Sequence, residues 1–113
     1  MRVLFESRDP DGALLRDLAV GRVRFVMRRL TWLVPRAEVR LMDVNGPRGG
    51  VDKRCHVALK TRRGGTVVIT AMARDWRSAL EEAISRAARV LVRNWKRGRA
   101  QKRSIRDGLV LDH

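Results

Sequence analysis

The side chains with the clearest capacity for chemistry in this chain are arginines at helical spacing. Arg86, Arg89, Arg93 and Arg97 stand three or four residues apart, with Lys96 beside them. On a helix such positions line up as one ridge. Like charges at that spacing repel by a few tenths of a kcal/mol per pair, and a sequence selected for stability alone would intersperse glutamates. The chemistry this pattern suits is docking to a polyanion. A plainer reading is a solvated helix face whose cations complement the negative end of the helix dipole.

A second basic group, Arg48, Lys53 and Arg54, lies in and just after the segment Asn45-Gly46-Pro47-Arg48-Gly49-Gly50. Asn-Gly is a turn dipeptide because both residues tolerate positive φ. Pro47 fixes φ and has no donor to give to a ladder. The Gly49-Gly50 pair lets the backbone bend sharply or approach another surface closely. Two readings stand side by side: a plain connection between strands with its charges in water, and a shaped basic loop that touches a phosphate backbone.

Catalytic readings fare worse. His56 and His113 are the only histidines and Cys55 the only cysteine. Neighbouring residues of a strand point to opposite faces, so Cys55 and His56 do not form a nucleophile–base pair. Asp43 and Asn45 resemble half of a calcium loop, but the remaining acidic ligands are missing. The glycine-rich segment lacks the Gly-Lys-Ser/Thr closure of a phosphate loop. One cysteine allows neither an internal disulfide nor a four-thiolate metal site. The expectation is a protein that is not an enzyme, with no metal, no cofactor and no small-molecule substrate.

The composition points the same way as the ridge. Lys and Arg number 26 against 12 Asp and Glu, a net charge of +14 over 113 residues. Such an excess favours a polyanionic partner, and arginine in particular suits bidentate phosphate contacts and stacking on bases. No signal-peptide pattern opens the chain and no apolar run is long enough for a membrane span, so a reducing cytoplasm is expected. Basic amphipathic helices also bind anionic lipid, but the apolar stripes here match a sheet, which leaves no face for a membrane.

Elements that would position these residues follow from periodicity. Residues 2–7 read as a strand, with Val3 and Phe5 on one face. Asp9-Pro10-Asp11-Gly12 forms a turn in which Asp9 or Asp11 caps a helix over residues 13–33, ended by Pro35. Leu15, Leu18, Ala19, Val26, Leu30 and Leu33 give it an apolar stripe. Gly21 inside it predicts a weak point or a close contact. Strands are expected over 37–44, 53–61 and 66–73, the last two joined by the turn Arg62-Arg63-Gly64-Gly65. A second helix starts at the cap Asp75 and reaches about residue 97, burying Trp76, Leu80, Ala83, Ala87 and Leu91. The resulting fold class is α+β, in the order β-α-β-β-β-α, with two helices on one face of a four-stranded mixed sheet. The opposite face would carry Arg40, His56 and Lys60. One domain over residues 1–98 and a mobile basic tail over 99–113 are expected.

The order of elements and several motifs resemble the ribosome hibernation-promoting factor family, also called ribosome-associated inhibitors, over about residues 1–98. The motifs are Asp43-Val-Asn-Gly-Pro-Arg-Gly-Gly-Val-Asp-Lys-Arg-Cys55, similar to the loop of many small members, and Asp75-Trp76-Arg77-Ser78-Ala79-Leu80, similar to the opening of the family's last helix. Arg86, Arg89, Arg93 and Arg97 stand where that family places lysines and arginines. The resemblance implies a fold similar to double-stranded-RNA-binding domains and a protein, monomeric when free, that binds the small ribosomal subunit. There it would occupy the region of mRNA and of A- and P-site tRNA, contacting rRNA through Arg48, Lys53, Arg54, the ridge arginines and Lys96. The chain resembles the short form, without the C-terminal domain that pairs ribosomes. Ala87 and Val90 depart from the Leu and Gln often seen in that helix, and the tail is richer in arginine. Two rivals remain: an RNA- or DNA-binding module not specific for ribosomes, and a regulator of an acidic protein.

Overall fold

The computed structural model of the chain describes residues 1–44 and 52–111, with side chains described as far as Gly98. The first strand, β1 (Arg2–Ser7), leads into a single helical turn, α1 (Pro10–Ala13). Asp9 caps that turn by accepting from the Asp11 amide at 2.9 Å, and Pro10 sits where a missing N–H leaves nothing unsatisfied. Gly12 is buried there, and a Cβ in its place would run into the Ser7 hydroxyl. After a break at Leu14 and Leu15 comes α2 (Arg16–Val26).

The single helix expected over 13–33 is therefore divided and shortened. Residues 27–33 continue only as turns, in which the Met27 carbonyl accepts from the Leu30 amide at 2.8 Å and the Leu30 carbonyl from Leu33 at 2.9 Å. Side chains take over acceptors that a longer helix would have used. Arg28 Nη1 donates to the Phe25 carbonyl at 2.8 Å, and the Trp32 indole donates to the Arg29 carbonyl at 3.1 Å. Gly21 makes no close contact: among the described residues nothing lies within 4 Å of where its Cβ would stand, and α2 runs through it unbroken.

β2 (Arg36–Asp43), β3 (Lys53–Lys60) and β4 (Thr66–Ala73) complete a four-stranded sheet in the order β1-β2-β3-β4. β1 pairs with β2 in parallel, which requires a crossover, and residues 8–35 supply it. The other pairs are antiparallel. Turning from β3 into β4 places Gly64 at φ 90°, a conformation that favours glycine. Register aligns Ala37 with Leu59 and Val67, Val39 with Val57 and Ile69, and Leu41 with Cys55 and Ala71. These rows form the inner face of the sheet.

The helix α3 (Trp76–Leu111) lies across β3 and β4. Its buried stripe is Trp76, Leu80, Ala83, Ala87 and Leu91, with Ile84 beside it, and it meets Ala19, Val23 and Met27 in one continuous core. Arg22 of α2 ties the two helices together through Glu81, at 2.9 Å. The pair is partly exposed and contributes no more than about 1 kcal/mol. The helix does not stop near residue 97: its backbone runs on to Leu111 through most of the segment expected as a tail. Among the described residues the architecture is α+β, with a four-stranded mixed sheet and three helices rather than two.

Candidate nucleic-acid interface

Asp75 starts α3. Its carboxylate accepts the Ser78 amide and the Ser78 hydroxyl, each at 2.8 Å, and these bonds hold its pKa below the ordinary carboxylate value. Trp76 then turns into the core and sets the rotation of the helix. With Leu80, Ala87 and Leu91 buried, Arg86, Arg89, Arg93, Lys96 and Arg97 are all exposed. From Arg86 to Arg97 the ridge spans about 16 Å of helix axis, enough for about four or five phosphates of one strand of a duplex.

Charge compensation along this ridge is thin. Arg86 meets Glu82 at 3.8 Å; among the described residues the other four cations have no carboxylate within ion-pair distance. Nor does the dipole account for them. The helix extends fourteen residues past Arg97, and the dipole effect fades beyond the last turn. Four of these five cations thus repel one another with neither counter-charge nor helix terminus to offset the cost.

The loop-side cations are placed differently. Arg48 belongs to residues 45–51, outside the described residues. At the base of that loop the Val44 amide donates to the Asp52 carbonyl at 2.9 Å. Lys53 is engaged within the fold: Nζ donates to Asp43 Oδ2 at 2.6 Å, stands 3.7 Å from Asp52 Oδ1 and lies 5.1 Å from the centre of the Trp76 ring. The hydrogen bond to Asp43 raises its pKa above the ordinary value. Asp52 itself is fully buried, with no hydrogen-bond donor on either oxygen among the described residues. The three side chains form a local charge group that holds the strand ends together beside the start of α3.

Arg54 is half-buried and points to the sheet face away from the helices, where its register partners are Met42 and Met72. The structure therefore brings together Arg86, Arg89, Arg93, Lys96 and Arg97 and sets Arg54 on the opposite surface. That open face also holds Arg40, His56 and Lys60, as the strand alternation predicts. Its arginines are largely answered by acids: Arg40 by Glu6 at 3.3 Å and Arg36 by Glu38 at 2.9 Å. His56 shares a 3.2 Å contact with the Thr70 hydroxyl, while Cys55 is buried on the inner face and desolvation pushes its thiol up to about 12.

Among the described residues, no group of three or more His, Cys, Asp or Glu side chains is arranged to hold a metal ion, and no helix is long and apolar enough to cross a membrane. Sequence reasoning passed over one cluster. At the end of the molecule where β3 turns into β4, Trp32 and Trp95 meet in a T-shaped pair, with ring centres 6.1 Å apart at 75°. Arg62 joins them by donating from Nε to the Trp32 carbonyl at 2.7 Å. The segment Asn94-Trp95-Lys96-Arg97 carries a signal for it, an aromatic ring interleaved with cations.

Compared with known proteins, the chain matches no family model, and no curated protein matches it. Fold and site together define a small, strongly basic α+β domain with a row of exposed cations along one helix.

Proposed function

We propose that this chain is a ribosome-associated translation inhibitor, a hibernation factor that acts in the cytoplasm. It binds the small ribosomal subunit in the region of mRNA and of A- and P-site tRNA through contacts to rRNA phosphates, and no bond is made or broken. The observation that carries the reading is the ridge Arg89, Arg93, Lys96 and Arg97, exposed on α3 and without an ion pair among the described residues. Structured RNA is recognised largely by shape, through phosphate and 2′-hydroxyl contacts from a rigid basic surface. Further support comes from the resemblance of the 43–55 loop and of the helix opening at Asp75 to the hibernation-promoting family. The likeness to a double-stranded-RNA-binding fold belongs to the same proposal, as does a monomeric free state.

Sedimentation of the purified chain with ribosomes, alongside inhibition of cell-free translation, tests it. The chain should travel with small subunits or whole ribosomes at low ionic strength, and Arg89→Glu/Arg93→Glu should release it while remaining folded. Full co-sedimentation of the double variant would remove the ridge from the interface. No ribosome association by the unaltered chain would defeat the reading as a whole. The second reading, a nucleic-acid binder without ribosome preference, draws on the fact that phosphate contacts carry no sequence information. It predicts that the chain spreads across the gradient with any RNA or DNA present.

A further inference from the structure

Three segments distant in sequence converge at the end of the molecule that carries the tryptophan pair. They are the chain leading into β2, the turn between β3 and β4, and α3 around Trp95. Between them lies a cleft of about 270 Å³. Leu33, Val67, Leu91 and Trp95 give it apolar walls, and Arg63 and Asn94 stand at its polar edge. We propose that this cleft receives one unstacked nucleobase of the bound RNA strand. The proposal rests on the RNA-binding reading of the α3 ridge.

The chemistry of the walls selects this occupant. A heteroaromatic base has a flat π face that stacks on an aromatic side chain and an edge that needs hydrogen bonds. Trp95 supplies the ring, held by its T-shaped contact with Trp32. Two polar groups nearby are already engaged: the Thr61 hydroxyl donates to the Gly65 carbonyl at 2.7 Å, and Arg62 Nε to the Trp32 carbonyl at the same distance. Neither Arg63 nor Asn94 makes a side-chain hydrogen bond among the described residues. The Asn94 amide offers a donor and an acceptor side by side, the pattern that pairs with a base edge.

Size and position agree. The cleft is slightly smaller than the ~300–1,000 Å³ typical of sites for drug-sized ligands, so it suits a single base better than a whole nucleotide with its phosphates. The phosphates have a place outside. Arg97 follows Asn94 by three positions and so neighbours it on the helix surface, continuous with Arg93 and Arg89. A strand whose backbone tracks the ridge passes the mouth of the cleft. Gly98 lines the cleft, and among the described residues a Cβ there would meet nothing within 4 Å. The glycine leaves the entrance open without any packing demand of its own.

That open space provides a clean test. Gly98→Leu improves helix propensity and fills the cleft, so circular dichroism and thermal unfolding should show a folded protein no less stable than before. Binding of a labelled hexaribonucleotide is followed by fluorescence anisotropy and compared with the same oligomer carrying abasic sites. The full chain should prefer the intact oligomer by roughly 5- to 150-fold, the range for stacking one base. In Gly98→Leu, and in Asn94→Ala to a smaller degree, the intact oligomer should fall toward the abasic one. Equal affinity of the full chain for both oligomers overturns the proposal, as does a preference that survives Gly98→Leu. Competition by a mononucleotide as strong as that by the hexamer overturns an RNA strand as the source of the base. Because the readout is a ratio between two short oligomers, it stands apart from ribosome sedimentation: loss of ribosome binding with the ratio intact would refute the function and leave the cleft.

Discussion

Replacing Arg89 and Arg93 by glutamine should move binding and stability in opposite directions. Both side chains are exposed, and neither has an acidic partner among the described residues. Arginine and glutamine have nearly equal helix propensity, so the backbone gives little reason for a change. The double variant removes the like-charge neighbours Arg86–Arg89, Arg89–Arg93, Arg93–Lys96 and Arg93–Arg97. At a few tenths of a kcal/mol each, folding should gain about 1 kcal/mol at low salt. Each duplex phosphate neutralised contributes about 0.9 to the slope of log affinity against log salt. Losing two such contacts makes the slope shallower by about 1.8 and, if the curves converge near 1 M, lowers affinity about 60-fold at 0.1 M. The assay is a salt series of small-subunit binding together with urea unfolding of the same preparations. An unchanged slope would take the ridge out of the interface. A lower urea midpoint would mean that the two arginines serve the fold, and the trade of stability for binding would be refuted.

Three further outcomes follow from single residues. Gly21→Ala should raise stability by about 1 kcal/mol, because the site is exposed in mid-helix and has open space for a methyl group; a lower urea midpoint would contradict the space seen there. Asp75→Ala should cost about 1 kcal/mol at neutral pH. The folded carboxylate has its pKa lowered from 3.8, so its contribution is present above that value and is lost as pH falls through the lower folded one, and the variant's deficit should shrink in acid. Cys55 should resist iodoacetamide at pH 8 while folded and react on unfolding. Its thiol pKa rises from 9.0 to about 12 on folding, so between those values the unfolded chain binds fewer protons and stability falls as pH rises. Comparison with Cys55→Ala should show a flatter pH dependence in the variant; an identical slope would show that the thiol does not contribute.

Local signals carried much of the fold. Alternation in Val39–Leu41 and Cys55–Val57–Leu59 placed the inner face of the sheet, because a strand's side chains alternate whatever surrounds it. Asp75 and the spacing of Trp76, Leu80, Ala87 and Leu91 placed the start and the rotation of the last helix. The same spacing put the ridge arginines on the outside. Helix ends were less legible. Whether residues 27–33 stay helical depends on where the Arg28 and Trp32 donors go, and periodicity does not report that. The extent of α3 to Leu111 was missed because a basic, poorly apolar segment gives little amphipathic pattern to read.

By itself, then, the sequence determined the inner face of the sheet and the buried stripe of the last helix, since period and capping are properties of neighbours along the chain. Around α2, by contrast, the buried Val23 and Met27 lie outside the stripe that periodicity gave. Tertiary structure decided which exposed cations are free. Lys53 and Asp43 face each other only through strand register, and Arg54 is separated from α3 by the thickness of the sheet. It also assembled the cleft from Leu33, Arg63 and Trp95, residues that meet only once the sheet and helices have closed. Charge compensation and concavity act through space, and only the folded chain sets those distances.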